Sequence, residues 1–324
     1  RAGNRTVYPS HADARAAESG LPPEGWDALA YAGPDLHEPT DTSPMPNGNS
    51  GASGSADTAM SKGSNRRCII VRHTFSGRPG FISDANILTG YEGFRTVENR
   101  TSYGQNTYAP ASTTLNATDT WVPAPFAMPG TWREYDTNTR DLVRETYDKL
   151  RPLLLAAGQD FNNFSHLILA YDSPYLIPTN ASGLATYGPW FPGYPGFPAN
   201  AQLGLARVWV KEDAGYNKFI MLHECGHNLR QLHAHKWDTS DRSVIGSGSS
   251  VEYSDPYDSM AGANNDRGYN SAARHWLGYL PAADAPLISA TGTTTTKVFT
   301  VDENPTTPQV RALRVQHTID TTQS

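Results

Sequence analysis

Four residues of the stretch His223-Glu224-Cys225-Gly226-His227-Asn228-Leu229-Arg230-Gln231-Leu232-His233 have the types and spacing for metal chemistry. The pattern is H-E-x-x-H with a third histidine six residues after the second. On a helix of about 3.6 residues per turn, His223 and His227 lie one above the other, so both imidazoles can reach one ion. Glu224 points about 100° away, beside the ion and not onto it, where its carboxylate can take a proton from a bound water. Three neutral imidazoles with one open position form the donor set of a catalytic Zn2+ site, not of a closed structural one.

The elements that must position these groups follow from the spacing. A helix starting near Asn217 carries the first two histidines, with Phe219, Ile220 and Leu222 holding it to a sheet. Cys225 lies about 200° from His223 on the helical wheel and reads as core. Were the helix to continue, His233 would stand about 15 Å above His223, so the chain must turn back after roughly Leu229 for the third imidazole to ligate. His235, next to the third ligand, suits a supporting or surface role. Downstream, the segment Val251-Glu252-Tyr253-Ser254-Asp255-Pro256-Tyr257-Asp258-Ser259-Met260-Ala261-Gly262 is polar and turn-rich. Tyr253 and Tyr257 can each place a phenol near a developing oxyanion, or brace the turn around Met260.

Taken together, H-E-x-G-H-N-L followed by H-A, then E-Y-x-D-P-x-D-x-M and Trp276-Leu277-Gly278-Tyr279-Leu280, resemble the gametolysin (autolysin) family of algal cell-wall metalloproteases, over roughly residues 68 to 315. The resemblance implies an α+β, metzincin-like zinc endopeptidase. Its domain would have a twisted mixed sheet with a backing helix and a zinc helix, then an irregular lower subdomain with a methionine turn at Met260. It also implies secretion to the cell wall or extracellular matrix and a substrate among Pro- or hydroxyproline-rich glycoproteins. The strand Leu205–Val210, just before the zinc helix, would be the edge to which substrate adds. One departure stands out, because the family has glycine where this chain has Arg230. A non-glycine residue reversing the backbone with positive φ costs about 1 to 2 kcal/mol. The tetrad Asn65-Arg66-Arg67-Cys68 resembles a Gln-Arg-Arg-Cys sequence of the family that is thought to act as a cysteine switch, in which the thiolate fills the open zinc position. Equally, Cys68 reads as a small buried hydrophobe at the start of a strand.

The rest of the chain bounds these readings. Its 324 residues can hold one large domain or two smaller ones, and 26 basic against 32 acidic residues, a net charge of -6, argue against a nucleic-acid partner. No apolar run approaches the roughly eighteen residues that cross a bilayer. The sequence opens at Arg1 without a signal-peptide hydrophobic segment, so an upstream portion is expected to have been removed. Two cysteines cannot make a disulfide framework. Sequons at Asn4, Asn99, Asn116, Asn163 and Asn180 are possible glycosylation sites, although about three such triplets arise by chance at this composition.

Three regions are expected. Residues 1–66, rich in Pro, Gly, Ser and Ala, read as a poorly structured propeptide or linker. Residues 67–282 form the catalytic domain. Within it, Arg66–Arg72 suits a first buried strand, 81–132 short strands and turns without a long helix, and Asp136–Gly158 a helix capped by Asn138 and kinked or shortened by Pro152. His166–Tyr171 reads as a central strand. The proline- and aromatic-rich loop Ser173–Asn200 either packs on the domain or walls a site for extended polypeptide, and Ser271–Leu277 is a short helix. Residues 283–324 start a small β module, in which Lys297–Val301 would pair with Val310–Val315. Against the protease reading stand a zinc-retaining but inactive extracellular structural or binding component, motivated by Arg230, and a secreted metal-dependent hydrolase of other bonds.

Overall fold

The run Cys-Ile-Ile-Val-Arg-His-Thr at 68–74 lacks the alternation of a half-exposed strand and suits one covered on both faces. In the computed structural model, which describes residues 63–76, 83–131, 135, 139–172, 183–185, 204–210, 218–240, 247–261, 267–288, 296–300 and 309–315, every residue from Cys68 to His73 is buried. The elements in chain order are β1 (Gly63–Arg66), β2 (Cys68–Thr74), α1 (Asp84–Thr101), β3 (Asn106–Tyr108), β4 (Ala111–Ser112), β5 (Thr120–Trp121), β6 (Phe126–Ala127) and α2 (Thr139–Ala156). After these come β7 (His166–Asp172), β8 (Gly183–Ala185), β9 (Gly204–Val210), α3 (Lys218–Asn228), β10 (Lys236–Thr239), β11 (Gly248–Val251), α4 (Ser271–Trp276), β12 (Leu287–Ile288) and β13 (Arg314–Val315). The result is a mixed helix and sheet protein, compatible with the expected α+β class.

The chain divides into two compact units, one comprising Asn65–Arg95 with Tyr108–Leu232 and the other Thr96–Thr107 with the chain from His233 onward. The first holds the main sheet, ordered β4-β5-β2-β7-β9-β8 with β6 also beside β2. All its pairings are parallel except the antiparallel β8–β9 pair. Parallel neighbours need long crossovers, and α2 lies in the one between β6 and β7. Strand alternation then divides the core. Ile69, Val71, Leu167 and Leu169 cluster with Leu142, Val143, Tyr147, Leu150 and Leu154 of α2. Residues of the other parity meet different partners: Cys68 receives the Tyr91 hydroxyl of α1 at 3.8 Å, and the His166 ring lies tilted against that of Tyr108 with centroids 5.5 Å apart. The middle of α1 passes close to the start of α3, since a Cβ on Gly93 would lie 2.7 Å from Lys218 Cδ.

The second unit is built on buried polar contacts. Glu98 Oε1 accepts from Asn106 Nδ2 at 2.7 Å and from the Tyr279 hydroxyl at 3.3 Å. Gly268 packs so tightly that a Cβ there would fall 1.7 Å from Thr101 Oγ1. Asn270 caps α4 by accepting from Ala273 N–H. The fully buried Arg274 donates to the Tyr269 carbonyl.

Several expectations need correction. The stretch 81–132 holds an 18-residue helix, α1, and not only strands and turns. Ser83 caps it, and Ile87, Tyr91, Phe94, Glu98 and Thr101 bury one face at helical spacing. Glycines and an inward Glu and Thr obscured that stripe. Pro152 is accommodated, and α2 runs on to Ala156. The strand β9 is not an edge: it lies between β7 and β8, and among the described residues the short β8 is the edge. Gly63–Arg66 forms a strand within the stretch expected to be unstructured, while residues 1–62 lie outside the described residues. Residues 296–300 form no strand. Arg314–Val315 pairs in parallel with Leu287–Ile288, and among the described residues one backbone bond, Phe299 N–H to the Val310 carbonyl at 2.8 Å, joins the segments expected to pair. Asn138, Asn217 and most of Ser173–Asn200 lie outside the described residues.

The expected first strand, central strand His166–Tyr171 and short helix at Ser271 are present as β2, β7 and α4. Among the described residues, no helix is long and apolar enough to cross a membrane.

Candidate metal centre

The helix α3 is buried nearly all round, with Ile220, Met221, Leu222 and Cys225 enclosed together with His223 and Glu224. It packs on β8 and β9. Tertiary burial therefore holds the helix that carries the first two histidines, more than its intrinsic propensity. The rings of His223 and His227 stand edge to face with centroids 4.9 Å apart, as one turn of separation dictates.

At its end the chain reverses. Arg230 adopts φ 63, its N–H bonds the His227 carbonyl at 2.8 Å, and Gln231 N–H bonds the Gly226 carbonyl at 3.0 Å. Those two bonds define a Schellman motif with a left-handed residue at its C′ position, usually glycine. Arginine occupies it here, and the turn still forms. Its consequence is decisive for the site: one ligand atom each of His223, His227 and His233 comes within 4.8 Å of the others, a set that can hold a metal ion. Among the described residues no other group of three or more His, Cys, Asp or Glu side chains is so placed.

His227 and His233 each have a partner on Nδ1. His227 Nδ1 lies 2.8 Å from the Gln231 carbonyl, which only accepts, so this nitrogen carries the proton and Nε2 keeps its lone pair. His233 Nδ1 lies 2.6 Å from Glu252 Oε1, with the Tyr253 hydroxyl 2.9 Å from His233 Nε2. Glu224, one position past His223, is 4 % exposed, and its Oε2 has no hydrogen-bond partner. Burial pushes its carboxyl well above the usual carboxylate range. A buried carboxyl group on the helix that carries two of the three histidines suits a divalent cation and a proton to be moved.

Met260 is buried, and its carbonyl accepts from Ala234 N–H at 3.0 Å, directly after the third histidine. Asp258 shapes this turn, taking Met260 N–H on Oδ1 at 2.7 Å and Asn270 N–H on Oδ2 at 2.8 Å. Burial raises its carboxyl to about 6 against these two bonds, which lower it. Of the two tyrosines, Tyr253 reaches the third histidine, and Tyr257 is exposed with the Arg267 guanidinium 5.0 Å from its ring centre. His235 stands apart from the triad, with Nδ1 2.7 Å from Ser250 Oγ. Glu252 is the residue whose role the sequence did not disclose. It stands in the motif beside Tyr253, yet its contact is made across nineteen positions.

Cys68 is fully buried in β2, opposite His166 on β7, and burial pushes its thiol up to about 12. A thiol so placed stays protonated, whereas a zinc-binding switch requires the thiolate. Cys225 is likewise buried in α3. Of the sequons, Asn99 and Asn163 are exposed, Asn116 is half-buried with Nδ2 bonded to Asp119 Oδ2 at 2.7 Å, and Asn4 and Asn180 lie outside the described residues. No family model matches the chain, and no curated protein matches it in sequence.

Proposed function

We propose that this chain is a Zn2+-dependent endopeptidase of metzincin type. The carrying observation is the convergence of His223, His227 and His233 through the reversal at Arg230, with Glu224 buried beside the first ligand. The donor set favours Zn2+ over the hard cations, which prefer oxygen ligands. Bound there, Zn2+ would supply Lewis acidity, polarising the scissile carbonyl and lowering the pKa of the attacking water.

The chain's own groups do the rest. Glu224 receives the proton of the attacking water and delivers it to the departing amide nitrogen as the C–N bond breaks, acting first as base and then as acid. Its burial makes it a better proton acceptor than an exposed glutamate. The Tyr253 hydroxyl, on the Nε2 side of the third ligand, is a donor suited to negative charge developing on the carbonyl oxygen. Antiparallel addition of a peptide to the edge strand β8 would give backbone-level binding with little side-chain selectivity. The resemblance of the motifs to gametolysin supports an extracellular or cell-wall location and a Pro- or hydroxyproline-rich glycoprotein substrate, and the exposed sequons at Asn99 and Asn163 agree with secretion.

The test is turnover against metal content. The purified chain should carry about one Zn2+ and cleave an unstructured protein substrate. Glu224→Gln should keep the metal and lose about two to four orders of magnitude in rate. A metal-loaded wild-type chain that cleaves nothing would instead establish the inactive, zinc-retaining binding component.

A further inference from the structure

Metal-ligating histidines work through a lone pair, and which ring nitrogen carries it is set by the partner of the other. For His227 that partner is the backbone carbonyl of its own turn. His233 lies past the reversal, and its partner is a side chain from a distant segment. We infer that Glu252 is a positioning residue for the third ligand: its carboxylate, 2.6 Å from His233 Nδ1, keeps the proton on that nitrogen and the lone pair on Nε2, fixing the ring for ligation. The inference rests on the reading of the three histidines as a metal site.

Two further observations carry it. The Tyr253 hydroxyl lies 2.9 Å from Nε2, where it donates to the lone pair that the Glu252 contact leaves there, a bond that a metal ion taking the same lone pair would replace, freeing the hydroxyl. Both edges of one imidazole are thus gripped by consecutive residues. Successive side chains in extended backbone point to opposite faces, so this grip needs a local change of direction. Tyr253 supplies it, with a left-handed φ of 57 directly after β11 and Glu252. The same conformation lays the Tyr253 ring against the His233 ring, with centroids 3.9 Å apart. Such a backbone costs about 1 to 3 kcal/mol at a non-glycine residue and persists where surrounding contacts over-determine it. At 47 % exposure the Glu252 side chain is not a core group, and replacing it leaves packing intact.

Zn2+ affinity, measured by competition with a chromophoric chelator, is compared for the wild-type chain, Glu252→Gln and Glu252→Ala, each shown by melting to be folded. The alanine variant should bind Zn2+ about 10- to 100-fold more weakly. The isosteric glutamine, which keeps a neutral acceptor, should fall between. Nitrogen-15 NMR of the histidine rings gives a readout that a merely structural role would not move. His233 should be the Nδ1–H tautomer in the wild type and glutamine variant, and shift toward Nε2–H in the alanine variant. Unchanged affinity in folded Glu252→Ala, or an unchanged tautomer, overturns the inference while the metal site stands. Should the alanine variant fail to fold, wild-type affinity in Glu252→Gln together with a wild-type Nε2–H tautomer overturns it equally. A wild-type chain that binds no Zn2+ removes the metal site itself, and the inference with it.

Discussion

The ends of α2 and α3 are the same structure made from different residues. Gly158 has φ 66, with Gly158 N–H on the Leu155 carbonyl at 3.0 Å and Gln159 N–H on the Leu154 carbonyl at 2.9 Å. Arg230 repeats this with φ 63 and the equivalent pair of bonds at 2.8 and 3.0 Å. The first reversal only returns the chain toward β7. The second delivers His233 to the other two histidines, and its Gln231 carbonyl also holds His227. The difference teaches that glycine lowers the cost of such a turn and is not what specifies it. Recovered carbonyl hydrogen bonds and the path required of the downstream chain specify it, and they tolerate an arginine at about 1 to 2 kcal/mol.

The largest expected effect breaks the comparison outright. Proline cannot adopt positive φ and removes the N–H that closes the turn, so Arg230→Pro and Gly158→Pro should each destabilise by about 3 kcal/mol or more in denaturant titrations. Only Arg230→Pro should also abolish tight Zn2+ binding. Retained affinity there would show that the reversal is not what brings in the third ligand.

Next come the segments to which the two reversals lead, which should respond to acid with opposite signs. On β7, burial holds the His166 imidazole down at about 3, so the fold favours its neutral form. That stability is full above about pH 6.5 and is lost as pH falls toward 3, about 3 kcal/mol by pH 4. In the methionine turn, the Asp258 carboxyl is raised to about 6, so its contribution is full below pH 3.8 and is lost as pH rises through 6, roughly 2 kcal/mol between pH 4 and 7. Stability measured against pH should lose its acid-side slope in His166→Phe and its opposite slope in Asp258→Asn.

A smaller effect concerns Cys68, which lies in register with His166. Cys68→Ser should lower stability by about 1 to 2 kcal/mol and leave specific activity per folded molecule unchanged, because a buried hydroxyl replaces a buried thiol. Higher activity in the serine variant would favour the cysteine-switch reading instead. The smallest effect sharpens the comparison by exchanging its members. Arg230→Gly should stabilise by at most about 1 kcal/mol without changing Zn2+ affinity, and Gly158→Arg should cost about as much, since a Cβ at Gly158 meets nothing within 4 Å.

Much of this was legible in the residues. The β-branched run at 68–74, the helical spacing of Leu142, Val143, Tyr147, Leu150 and Leu154, and the histidine spacing with its required reversal each carry a local period or a local geometric demand. What stayed hidden depends on partners distant in sequence. The inward face of α1 includes Glu98, which Asn106 and Tyr279 meet from outside the helix. The position of β9 inside the sheet is set by a three-residue strand within a proline-rich stretch, too short to show a period of its own. Tyr253 and Tyr257 are chemically alike in sequence, yet the first reaches His233 and the second lies beside Arg267.

The reversal at Arg230 also bears on when the ordering entropy of the site is spent. The three histidines lie within one short segment, and the loop-closure cost of bringing them together falls on the burial of α3 and on two backbone hydrogen bonds, not on an ion. Zn2+ would then meet a preorganised site. Uptake should proceed with little change in heat capacity, unlike the coupled folding of a small metal finger, and the chain should remain folded after the metal is stripped.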